Sequence, residues 1–138
     1  MPRPDPWRLD PAAYPHRETI QTRFADLDVL GHINNVAMVA LFETGRTRFN
    51  HAAGLTRFRD TRWLVAAQEV NYLAEGSYPA DVVMTHGVGL IGGRSWTLLG
   101  AAFQHDRPIA TCDCTIVVDA PAIPADFRVA LEGWAISR

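Results

Sequence analysis

The chain has 138 residues and a mass of 15.3 kDa, enough for one domain with one core and no need of disulfides or a structural metal. At 48% hydrophobic and 20% charged residues the composition is that of an ordinary globular domain. A net charge of −2 excludes a nucleic-acid binder that works by phosphate neutralisation, and a polybasic membrane surface. No apolar run approaches the roughly 20 residues that span a bilayer.

Residues 1–15 carry five prolines and no apolar stretch. They read as an irregular arm rather than an export signal, so the expected compartment is the cytoplasm. Residues 16–138 form the single domain. From Glu18 to Phe24 the residues alternate, with Glu18, Ile20, Thr22 and Phe24 on one face, which predicts a half-buried strand. Residues 25–34 hold two Asp, a Gly and an Asn and predict a loop.

From Asn35 to Ala53 the period changes to that of a helix. Met38, Leu41, Phe42, Gly45, Phe49 and Ala52 fall on one face. Asn34 or Asn35 is the natural N-cap and Gly54 the natural stop. Gly45 costs about 1 kcal/mol relative to Ala in a helix interior, and close packing against a sheet is its simplest explanation.

Four strands follow: Trp63–Leu73, Asp81–Ile91, Ser95–His105 and Ile109–Asp119. The turns between them are Glu75 to Pro79, Gly92-Gly93-Arg94 and Asp106-Arg107-Pro108. Short turns between long strands predict antiparallel hairpins throughout. Ala125–Trp134 predicts a short closing helix. Cys112 and Cys114 share one face of a strand, too close in sequence for an unstrained bond and too few for a metal, and read as reduced packing residues. One apolar helix followed by such strands packs most economically with the sheet curled around it. The expected fold is therefore α+β, an antiparallel sheet of about five strands wrapped around one long central helix, the hotdog architecture.

The chemically loaded segment lies just before the helix. Residues 26–35, Asp-Leu-Asp-Val-Leu-Gly-His-Ile-Asn-Asn, place two carboxylates, an imidazole and two amides at its start. A helix N-terminus presents unpaired N–H groups with a partial positive charge of about half a unit. Such groups polarise a carbonyl and hold the oxyanion formed when it is attacked. A nearby carboxylate attacks, or deprotonates water. Acyl transfer needs both devices. Asp and Asn are also the commonest loop and cap residues, so from the residues alone capping and catalysis both stand.

This run, followed by Leu41-Phe42-Glu43 and Arg46, resembles the signature of the 4-hydroxybenzoyl-CoA thioesterase-like family of hotdog acyl-CoA thioesterases. Val70 to Leu73 with Gly76, and Ile91 to Trp96, are similar to the family as well, so the resemblance covers about residues 16 to 134. It implies hydrolysis of an acyl-CoA to free acid and CoA, with no metal and no prosthetic group. It implies Asp28 as nucleophile or general base, and the backbone N–H of Asn35 as the carbonyl-polarising donor. His32 is then a positioning or substrate-contacting group, and Asn34 holds the attacking water or orients Asp28. Asp26 is structural, pairing with Arg23 or a backbone N–H.

Met38 stands where the family frequently has an aromatic residue lining the acyl pocket, which argues against an aromatic acyl group. Glu43 is an alternative base on the helix, its plain reading being an ion pair with Arg46. The CoA nucleotide is expected near the turn Gly93-Arg94-Ser95, with Arg57, Arg59 and Arg62 as a second basic cluster. The resemblance also implies a homodimer or homotetramer with each site at a subunit interface. Two other functions remain open: a hotdog hydratase or dehydratase using His32, and a non-catalytic acyl-thioester binding module.

Overall fold

Alternating buried and exposed side chains form a first short strand, β1 (His16–Ile20), in the computed structural model, which describes residues 3–137. The strand starts and stops earlier than the alternation predicts. Beyond it the Asp26 carboxylate accepts the Arg23 backbone N–H at 3.0 Å and the Arg23 guanidinium at 2.8 Å, closing a 3-10 turn over Phe24–Asp26. That turn diverts the chain and leaves Phe24 on the surface.

The long helix α1 (Asn35–Ala52) has the expected cap and stop. Asn34 Oδ1 accepts the Ala37 N–H at 2.7 Å, and Gly54 takes the left-handed conformation, φ 74°, that ends the helix. Its buried face carries Ala37, Met38, Leu41, Phe42, Gly45, Arg46 and Phe49. Ala52 is exposed, and Ala53 is buried in its place. Gly45 meets the sheet directly: a Cβ there would sit 2.8 Å from His86 Cε1 and 3.1 Å from Met84 Cβ.

The remaining strands are β2 (Trp63–Tyr72), β3 (Val82–Ile91), β4 (Ser95–Gln104) and β5 (Arg107–Val118), followed by α2 (Ala125–Glu132). The last tight turn is His105–Asp106, both residues at positive φ, so β5 begins at Arg107 and takes in Pro108. The sheet is antiparallel in the order β1-β3-β4-β5-β2. Two of the three expected hairpins form, β3–β4 and β4–β5. The third does not: β2 pairs with β5 at the opposite edge, and β1 occupies the place beside β3. The connection after β2 is tied across the end of the sheet instead of turning back. The Gln104 side chain accepts the Ser77 N–H and donates to the carbonyls of Ser77 and Ala80.

The concave face of the sheet packs on α1, and Phe127 of α2 closes one end against Trp63 and Trp96. Cys112 and Cys114 belong to this core as free thiols, and burial pushes the Cys112 thiol up to about 12, so it stays protonated and unreactive. The arm packs over part of the convex face, with Tyr14 against Ala101 and Phe103. The Arg8 guanidinium binds Tyr14 Oη at 2.9 Å, the Gly100 carbonyl at 3.1 Å and the Asp113 carboxylate at 2.7 Å. Together these elements make the hotdog architecture. No helix among the described residues is long and apolar enough to cross a membrane.

Candidate active site

Residues 27–33 fold into a small closed loop. Asp28 N–H donates to the His32 carbonyl at 2.8 Å, Gly31 turns the chain at φ 81°, and Leu27 bridges to Ile33. Asp28 Oδ1 accepts the Leu30 N–H at 2.9 Å and the His32 N–H at 3.2 Å. Only Oδ1 is used in this way, so one carboxylate oxygen holds the loop. The side chain lies at the surface, next to the start of α1.

The two asparagines separate in role. Asn34 spends its side-chain oxygen on the Ala37 N–H and its backbone N–H on the Asp26 carbonyl at 2.9 Å, so it is the helix cap. Asn35 is the first residue of α1, where backbone N–H groups have no partner within the helix. Its carbonyl accepts the Tyr72 hydroxyl at 3.2 Å. His32 Nε2 lies 3.1 Å from Glu75 Oε2. Asp28, His32, Asn35, Met38, Tyr72 and Glu75 all line one cavity of about 480 Å³. Met38, almost fully buried, is one of its walls.

The other expected positions lie elsewhere in the chain. Asp26 is buried and structural, its carboxyl held below the ordinary range chiefly by the hydrogen bond from Arg23. Glu43 is exposed on the outer face of α1, beside Ala40, Thr44, Thr47 and Arg48. The expected Glu43–Arg46 pair does not form, because Arg46 is turned into the core, with Nη1 3.4 Å from Gln68 Oε1. Gly93, Arg94 and Ser95 form the turn between β3 and β4. The cavity lies where Tyr72 pairs with Ala110, whereas Ser95 pairs with Val117 at the other end of the sheet. At about 3.3 Å per residue, roughly 23 Å of strand separates the two within one chain. Arg62 is at that far end too, its carbonyl accepting the Asp119 N–H, and Arg57 is engaged with the Gly54 carbonyl and the Phe58 ring.

Sequence reasoning missed Glu75 and Tyr72 as site residues. Both come from the end of β2 and the segment after it, far beyond Asp28 in the chain, and only the topology brings them back to the loop. Among the described residues no group of three or more His, Cys, Asp or Glu side chains is placed to hold a metal ion.

The sequence pattern of the thioesterase-like superfamily matches residues 22–131. No curated protein sequence matches the chain. Among solved structures, the PA5185 protein of Pseudomonas aeruginosa strain PAO1 is similar at TM-score 0.80 and 28% identity, over 91% of this chain and 95% of that one. A predicted thioesterase from Bacillus stearothermophilus is similar at TM-score 0.80 and 26% identity, over 88% and 97%. A thioesterase from Thermus thermophilus, complexed with coenzyme A and Zn, shares the fold at TM-score 0.78 and 24% identity, over 88% and 95%.

Proposed function

Because the chain belongs to the thioesterase-like superfamily, we propose that it is an acyl-CoA thioesterase, hydrolysing an acyl-CoA to the free acid and CoA. One observation carries the reading: a carboxylate, Asp28, and the free N-terminal end of a long helix, at Asn35, open onto the same cavity. Those are the two devices that acyl transfer to water requires. CoA as the thiol is supported by the fold relative from Thermus thermophilus that holds it, and the loop motif is similar to that of the 4-hydroxybenzoyl-CoA thioesterase-like family.

In this mechanism the thioester carbonyl accepts the Asn35 N–H. Asp28 attacks the carbonyl carbon, or takes a proton from the water that does. The C–S bond breaks and CoA leaves as its thiolate, a better leaving group than an alkoxide because a thiol is far more acidic than an alcohol. Where water attacked, the acid is then free; where Asp28 attacked, water next cleaves the acyl–Asp28 anhydride, releasing the acid and restoring the carboxylate. Only protein groups and water take part. Met38 and the apolar wall beside it receive the acyl group, and the flexible thioether favours an aliphatic one.

The same reading makes the protein at least a homodimer, or a homotetramer as a dimer of such dimers. Its support is β2, a ten-residue edge strand exposed on both faces, with Leu64 and Val65 at the surface. An unpaired edge of that length is a ready template for a second strand. Pairing there brings in a second copy, whose turn at Arg94 is then available to receive CoA phosphates.

The test is a panel of acyl-CoAs of graded chain length assayed for released thiol. Thiol release with the acyl chain unaltered supports hydrolysis. A change in enoyl absorbance without thiol release turns the reading to a hydratase, and tight binding without either turns it to a binding module.

A further inference from the structure

Asp28 sits in a loop with an exposed tip: Val29 and Leu30 are fully or largely in solvent, and Gly31 is exposed. Two contacts tie this loop to the segment after β2. The Ile33 N–H donates to the Gly76 carbonyl at 3.0 Å. The His32 imidazole reaches the Glu75 carboxylate at 3.1 Å. His32 in turn is bonded to Asp28 in both directions, its N–H to Asp28 Oδ1 and its carbonyl to the Asp28 N–H. Gly76 is fixed beneath, where a Cβ would collide with Ile33 Cδ1 at 2.7 Å. The chain of contacts runs Glu75, His32, Asp28, from a tethered segment to a surface loop.

From this we infer that Glu75 is a positioning residue of the site: it holds the His32 ring and, through the His32 backbone, sets where the Asp28 carboxylate stands. The inference rests on the hydrolase reading above. Glu75 Oε2 stands 3.1 Å from Nε2 of the ring, a close contact that restrains the ring. With the ring fixed, the backbone of His32 is fixed at the point where it meets Asp28 Oδ1. Glu75 itself is mostly exposed, and an ion pair in that setting contributes little to folding, typically under about 1 kcal/mol. Positioning has a different scale, because a reacting group displaced by about 1 Å costs up to about a hundredfold in rate. The pair therefore matters to turnover far more than to stability.

The experiment compares Glu75→Ala, Glu75→Gln, His32→Ala and the double variant Glu75→Ala/His32→Ala in thiol release, with thermal melting of each. Glu75→Ala is expected to lower kcat about tenfold or more, with KM within about threefold and the melting midpoint unchanged. Glu75→Gln, which keeps an acceptor oxygen within reach of the ring, is expected to stay within about threefold of wild type. In the His32→Ala background, Glu75→Ala is expected to have no further effect on kcat. Equal kcat for wild type and Glu75→Ala, in a protein that releases thiol and loses that activity on Asp28→Asn, overturns the positioning role and leaves the hydrolase reading intact. Additive losses in the double variant overturn it as well, because Glu75 then acts without His32. A wild-type protein that releases no thiol from any acyl-CoA overturns both.

Discussion

Asp28 and His32 close a tight loop by bonding to each other twice: the Asp28 N–H donates to the His32 carbonyl, and the His32 N–H donates to Asp28 Oδ1. The carboxylate therefore has a structural use that is separable from its chemistry. An Asn at position 28 keeps an oxygen able to accept the same two N–H groups. In Asp28→Asn the amide signals of Leu30 and His32 are expected to stay near their wild-type shifts, whereas in Asp28→Ala they move. Loss of the loop signals in both variants would show that the negative charge, not the acceptor, holds the loop.

Gly45 illustrates two opposed effects of similar size. Replacing it with Ala gains about 1 kcal/mol of helix propensity. The new methyl would meet His86 Cε1 at 2.8 Å and Met84 Cβ at 3.1 Å, in a region where both residues are fully buried. Overpacking of this kind costs typically about 1–3 kcal/mol. Gly45→Ala is expected to be neutral to about 2 kcal/mol less stable, read from the urea midpoint. A clear stabilisation would contradict the packing account.

The His86 ring gives the protein an acid-sensitive core. Burial lowers His86 from an ordinary value of 6.5 to about 3, with further lowering from the charge of Arg46 and from His16. The unfolded chain takes up that proton below about pH 6.5, and the folded one only near pH 3. Between those values the unfolded state binds more protons, so stability falls as the pH falls, by up to about 1.4 kcal/mol per pH unit. His16, also lowered by burial, acts in the same direction. The urea midpoint is expected to drop steadily from about pH 6.5 to about 4, and less steeply in His86→Phe. A midpoint that does not change over that range would contradict a buried neutral imidazole.

Arg94 tests the role of the second copy. Its turn lies roughly 23 Å of strand away from the cavity of its own chain. If it receives CoA phosphates, Arg94→Ala raises KM for acyl-CoA several-fold with little change in kcat, because the phosphates are remote from the reacting carbon. The effect shrinks with salt, and an acyl-pantetheine lacking the nucleotide does not register the substitution. Equal damage to both substrates would assign Arg94 to the turn instead. Light scattering that returned a 15.3 kDa species with full activity would remove the second copy from the account altogether.

Most of the fold was legible because its signals are local. The helical stripe from Met38 to Phe49, the cap at Asn34, the stop at Gly54 and the strand starts near 63, 82 and 95 depend on neighbours in sequence. What failed was long-range. The turn residues after β2 resemble a hairpin, yet Gln104 ties Ser77 and Ala80 across the sheet end, and no local pattern announces that. Arg46 looks like a surface partner for Glu43, and its burial follows only from the curl of the sheet. At the site, Asp28, His32, Asn35 and Met38 were within reach of a motif in one segment. Glu75 and Tyr72 were not, because their place beside that segment is a consequence of the β2–β5 pairing.

On the proposed mechanism the Asp28 carboxylate performs the chemistry opposite the start of α1. The most direct measurement is kcat for thiol release by Asp28→Asn, with its melting curve taken alongside. The amide keeps the loop bonds but neither attacks a thioester nor takes a proton from water. A loss of about 10²–10⁴-fold in kcat at an unchanged melting midpoint is the expected result. A variant that melts normally and still turns over within a few fold of wild type would contradict the account, and severe loss in Glu43→Gln beside it would move the base to the outer face of α1.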